Sequence, residues 1–131
     1  MKNTIISFFV CFWALLATPA FALEKEPFTE QRFAELQAEN QVILVDVFAD
    51  WCSTCKKQQE VLQAYRQANP DKLFHILTVD FDTDKQQVRA LRAPRQSTLL
   101  LYKGDKQYWF SVAETRAEVI SAEINKVFAA K

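Results

Sequence analysis

Cys52 and Cys55 are separated by two residues and follow the apolar run Val42-Ile43-Leu44-Val45-Asp46-Val47-Phe48-Ala49. Two thiols at that spacing, where a strand turns into a helix, can exchange disulfides. The first falls in the opening turn of the helix, where unpaired backbone N–H groups and the positive end of the helix dipole favour its thiolate. The second lies one turn further in and can reach back to close a disulfide. The same spacing occurs in zinc sites. Here Asp46 stands inside the preceding strand and Trp51 directly precedes the first cysteine, a combination that favours thiol exchange. His75 is the single histidine. Adding it to the cysteines gives too few ligands for a structural zinc site, which takes four; among Phe74, Ile76 and Leu77 it reads as a structural strand residue. Haem attachment needs a histidine after the second cysteine, and Lys56 occupies that place.

How the chain starts decides the cysteine count. Lys2 gives a positive start, Ile5 to Ala17 is uncharged, Pro19 breaks the helix, and Ala20-Phe21-Ala22 has the small-x-small form of a signal peptidase site. The expectation is a signal peptide over 1–22 and one domain over 23–131, with export to the periplasm. The alternative is an uncleaved membrane anchor, since Asn3 to Leu23 is nearly long enough to span a bilayer. Cys11 lies in the apolar stretch and leaves with the signal. The two remaining cysteines close a loop too small to constrain the unfolded chain much, and the dispersed pairs of an exported disulfide framework are absent from the sequence. Reactivity explains this pair better than stapling.

Without Lys2, 15 basic residues face 16 acidic ones, a formal charge of −1. No basic stripe points to nucleic acid. About a hundred residues make a single core. One glycine and three remaining prolines leave no room for a flexible linker.

The elements that position the cysteines follow from periodicity and punctuation. After a charged lead over Glu24 to Glu26, Thr29 caps a helix running to about Asn40, with Phe28 and Phe33 as a hydrophobic staple. Val42 to Ala49 is a strand apolar on both sides, as in a buried central strand. Ser53 to Ala68 is a long helix ended by Asn69-Pro70, Leu73 to Phe81 a second buried strand, and Asp84 to Leu91 a short helix. Thr98 to Tyr102 and Gln107 to Ser111 form a hairpin around Lys103-Gly104-Asp105. Thr115 to Phe128 is a closing helix with Val119, Ile120, Ile124, Val127 and Phe128 on one face. Helix-linked strands followed by a hairpin give an α/β fold, a mixed central sheet with helices on both faces. The hairpin aromatics Tyr102, Tyr108, Trp109 and Phe110 read as core and cross-strand pairs, and an exposed ring among them could help bind a partner.

Val45-Asp46-Val47-Phe48-Ala49-Asp50-Trp51-Cys52-Ser53-Thr54-Cys55-Lys56 resembles the active-site segment of the thioredoxins. It is closer still to exported thioredoxin-like domains of bacterial envelope disulfide reductases. Ser97-Thr98-Leu99-Leu100-Leu101-Tyr102-Lys103-Gly104 resembles the strand after that family's cis-proline. The resemblance implies a thioredoxin fold, with Cys52 as attacking thiol, Cys55 as resolving thiol, and Asp46 as a buried carboxylate that takes the proton from Cys55. The plainer reading of Asp46 is a polar strand end facing water. Trp51, Ser97 and Gln96 are the substrate-facing residues the resemblance implies, with core filling the plainer reading of Trp51. Lys56 reads as a solvated helix residue. The redox group is the Cys52–Cys55 disulfide itself, with no cofactor and no metal.

The sequence departs from the family pattern at several places. Ser97 stands where the cis-proline is usual, with Pro94 three residues earlier. Either the bond before Ser97 is cis at a cost of roughly 3 kcal/mol, or the loop Ala93 to Gln96 rearranges and Pro94 partly substitutes. Ser53-Thr54 replaces Gly-Pro, and its hydroxyls could hydrogen-bond the thiolate and make the disulfide more oxidising. Glu60 replaces a helix proline, which straightens the helix. Thr78 aligns with a lysine that often partners the buried aspartate, leaving Asp46 without a charged neighbour. Ala113 replaces a substrate-loop glycine.

The first functional expectation is an envelope thiol–disulfide oxidoreductase that reduces disulfide-containing protein substrates, a monomer recharged by a membrane thiol electron donor. The second reverses direction, to an oxidase or isomerase. The third is a non-redox metal- or partner-binding module on the same fold.

Overall fold

The computed structural model describes residues 24–131. The expected signal peptide, with Cys11, lies outside the described residues. The elements are β1 (Lys25–Pro27), α1 (Glu30–Ala38), β2 (Val42–Phe48), α2 (Ser53–Ala68), β3 (His75–Asp80), α3 (Lys85–Ala90), β4 (Thr98–Lys103), β5 (Lys106–Val112) and α4 (Ala117–Ala129). The strands lie in the order β1-β3-β2-β4-β5. β1, β3 and β2 are parallel; β4 runs antiparallel to β2, and β5 to β4. This is the expected mixed sheet.

Strand periodicity explains its two cores. On β2, Val42 and Leu44 face one side, where they meet Val61, Leu62 and Tyr65 of α2 and Ile120, Ile124 and Val127 of α4. Ile43, Val45 and Val47 face the other side, with Leu36 of α1 and Val88 of α3. A period of two therefore puts Asp46 in the row of Val42 and Leu44, beneath α2. That row, and not the strand composition, decides which helix the carboxylate meets.

Thr29 caps α1 as expected, its Oγ1 accepting from the Arg32 amide at 3.1 Å. The Phe28 and Phe33 rings lie 5.2 Å apart, and Phe33 meets Tyr102 edge-on at 5.1 Å, which ties α1 to β4. One element differs from expectation. Residues 25–27 form a parallel edge strand on β3 where the sequence reads as a charged lead. The Phe28 amide donates to Thr78 O at 2.9 Å and Thr78 Oγ1 donates to Glu26 O at 3.3 Å. An edge strand of three residues is held through its backbone, so its side chains need no apolar pattern. Tyr108 and Trp109 of the hairpin pack against the α2/α4 core, while Phe110 stays exposed.

Candidate functional site

Cys52 is the N-cap of α2, and its sulfur accepts from the Cys55 amide at 3.0 Å. The capping position sets the cysteine in the field of the helix N-terminus, where negative charge is stabilised. Cys52 and Cys55 form a disulfide with Cα atoms 5.3 Å apart. Both side chains are buried, together with Ala49 and against Phe48. Trp51, by contrast, is 65% exposed, with its indole N–H donating to Asp82 Oδ2 at 2.8 Å. It is therefore a fixed apolar surface beside the disulfide and not core filling.

Asp46 is 1% exposed, which rules out a strand end facing water. Burial pushes its carboxyl up from 3.8 to about 6, against the opposing pull of Lys25 and a hydrogen bond from Gln59. Among the described residues, Asp46 Oδ1 has no hydrogen-bond partner. Asp46 and Cys55 line one groove of about 390 Å³ with Lys25, Phe48, Lys56, Gln59 and Thr78. A carboxyl of about 6 that lines the same groove as the second cysteine can take up a proton near neutral pH. A larger cleft of about 540 Å³ surrounds Arg66 and His75 at the opposite end of the sheet, away from the sulfurs. His75 lies there 3.8 Å from Glu26, consistent with a structural strand residue.

Lys25 corrects one expectation. Thr78 stands where a lysine would partner the aspartate, but Asp46 does not lack a charged neighbour, because β1 brings Lys25 to the same groove. No periodicity marked Lys25, since the strand that positions it is polar.

At Ser97 the structure decides between the two alternatives, and the bond before it is not cis. Among the described residues no peptide bond is cis, and Ser97 takes the left-handed conformation at φ 64°. Pro94 is exposed, and Ser97 is fully buried against the disulfide. Its Oγ lies 3.0 Å from Cys52 Sγ and 3.3 Å from Cys55 Sγ. The hydroxyl that meets the sulfurs is thus that of Ser97, with Ser53 exposed on the first turn of α2. A left-handed non-glycine residue costs roughly 1–2 kcal/mol. Three backbone bonds hold it: the Ser97 amide donates to Val47 O at 2.8 Å, and Ser97 O accepts from the Ala113 amide at 2.8 Å and from Gln58 Nε2 at 3.1 Å. Gln58 Nε2 also donates to Glu114 O at 2.9 Å. Gln58 is fully buried on α2 one turn after Cys55. It ties the cysteine helix to both loops facing the disulfide, and sequence reasoning passed over it. The signal was a glutamine on the buried stripe Cys55, Leu62, Tyr65. Gln96 is half-buried in the loop before Ser97. Ala113, also left-handed at φ 59°, occupies the position of the expected loop glycine.

A sequence model of the thioredoxin family, described as "Thioredoxin", matches residues 23–126. The thioredoxin of Bacillus subtilis is 31% identical over 98 residues, 75% of this chain and 92% of that protein. A putative thioredoxin 2 of Streptomyces coelicolor is 28% identical over 75 residues, 57% of this chain and 54% of that protein, so the chain spans about half of that relative. The crystal structure of Trxlp from Edwardsiella tarda EIB202 superposes with a TM-score of 0.71 at 33% identity, covering 77% of this chain and 98% of that one.

Proposed function

The chain belongs to the thioredoxin family, and we propose that it reduces disulfides of protein substrates in the bacterial envelope, a location that rests on the apolar start of the chain and not on the family match. It is a thioredoxin-like thiol–disulfide oxidoreductase whose redox group is the Cys52–Cys55 pair. Members of the family act on disulfide-containing proteins. The observation that supports a resolving step here is the groove shared by Asp46 and Cys55, with the carboxyl raised by burial to about 6.

The Cys52 thiolate attacks one sulfur of a substrate disulfide, forming a Cys52–substrate bond and releasing one substrate thiolate. Asp46 takes the Cys55 proton, and the Cys55 thiolate attacks Cys52 Sγ. The Cys52–Cys55 bond forms, and the second substrate thiolate leaves and is protonated. The substrate gains two electrons and the enzyme loses them. A partner dithiol, in this reading a membrane-embedded thiol transporter, returns them by the reverse exchange. Trp51 and Gln96 are the substrate-facing surface. The apolar, uncharged start of the chain and the Ala20-Phe21-Ala22 site support export.

A second direction, oxidation or isomerisation, is favoured by one observation: the Ser97 hydroxyl on the sulfurs, since stabilising the reduced thiolate makes a disulfide more oxidising. The experiment that separates redox turnover from a non-redox binding module is Cys55→Ser. A reductase accumulates a covalent mixed disulfide through Cys52 on exposure to oxidised protein, and reducing agent releases it. A partner bound with no covalent bond to Cys52 contradicts the reading.

A further inference from the structure

Ser97 Oγ finds its hydrogen-bond partners, among the described residues, in the two cysteine sulfurs alone, at 3.0 Å and 3.3 Å. A disulfide sulfur has no proton to give, so the hydroxyl is the donor. Its Cα is held in a left-handed conformation by the Val47, Ala113 and Gln58 hydrogen bonds. Both backbone polar groups of Ser97 are thereby committed to the protein. The side chain is the part of the residue left to act, and it is fully buried against the reacting bond.

We propose that Ser97 is a catalytic residue: when the disulfide opens, its hydroxyl donates to the Cys52 thiolate and holds the attacking sulfur in its charged form. The Cys55 amide already points at the same sulfur from 3.0 Å, so the two donors together form a small anion-binding cradle at the helix N-terminus. When Cys52 enters the mixed disulfide its charge is gone. The hydroxyl, also within 3.3 Å of Cys55 Sγ, then turns to the Cys55 thiolate as that sulfur attacks. One rotor thus follows the negative charge from sulfur to sulfur, and it needs no further reagent. A proline or alanine at this position has no such donor. The inference rests on Cys52 being the attacking thiol.

The test compares the reduced wild-type protein with Ser97→Ala and Ser97→Gly. Cys52 alkylation by iodoacetamide is followed across pH, with peptide mapping to separate it from Cys55, and the dithiol is equilibrated with glutathione. Both variants lose the hydroxyl, but only glycine relieves the left-handed backbone, so a backbone effect separates them and a hydroxyl effect does not. Below the Cys52 midpoint, alkylation falls roughly tenfold in both variants, the lower range for a hydrogen bond to a charged group. The glutathione equilibrium moves toward the disulfide by up to tenfold, about 30 mV. An unchanged Cys52 profile in both variants overturns the proposal, as does a change confined to Ser97→Ala or to Cys55. If the wild-type protein reduces no protein disulfide, the proposed function falls, while the Cys52 titration still decides the role of Ser97.

Discussion

Asp46→Asn keeps the shape of the buried side chain and removes its charge. Asp46 is 1% exposed and its carboxyl sits near 6 against 3.8 in water. The folded state binds this proton more tightly than the unfolded state. The associated stability is therefore full below pH 3.8 and is lost as pH rises through about 6. A difference of about two pH units at 1.36 kcal/mol each comes to about 3 kcal/mol above neutrality. Asparagine does not titrate and can still accept from Gln59. The variant is accordingly more stable than wild type by about 3 kcal/mol at pH 8, with the gap closing toward pH 4. Urea unfolding of the oxidised proteins at both pH values measures this. In turnover, the variant slows at the resolving step, so mixed disulfide accumulates. A stability difference that stays constant between pH 4 and pH 8 would mean that the Asp46 carboxylate does not ionise against a desolvation penalty.

Gln58→Leu leaves Ser97 O and Glu114 O without the donor that bridges them. The expected loss is about 2 kcal/mol in urea unfolding, with slower disulfide exchange because the Ser97 hydroxyl is no longer held over the sulfurs. Gly104→Ala puts a Cβ 2.8 Å from Asn40 Oδ1 at a φ of +55°, so thermal unfolding shows a loss of about 1–2 kcal/mol and the Cys52–Cys55 exchange chemistry is untouched.

The parts legible in the sequence were those written in side-chain pattern. Val42 to Ala49 is apolar on both faces, and β2 is covered on both faces. The Asn69-Pro70 stop and the Cys52 start bound α2 at Ser53–Ala68. Cys52 and Cys55 meet as their spacing requires, and Asp46 is buried because its neighbours on the strand are. What the sequence hid was written in backbone. β1 pairs through N–H and C=O groups with polar side chains outward, so neither the strand nor its delivery of Lys25 to Asp46 had an apolar signature. The left-handed turn at Ser97 likewise has no composition signal. It depends on bonds from Val47, Ala113 and Gln58, which lie far away in sequence. Ser53 and Thr54 were the obvious hydroxyls because they adjoin the cysteines, yet Ser53 is exposed and the hydroxyl that reaches both sulfurs is that of Ser97, 45 positions after Cys52.

The reduction potential of the Cys52–Cys55 pair against glutathione decides the direction of electron flow. For a reductase of protein disulfides the expected value is near that of thioredoxin, about −270 mV. A value of about −120 to −180 mV would contradict it and make the protein an oxidant or isomerase.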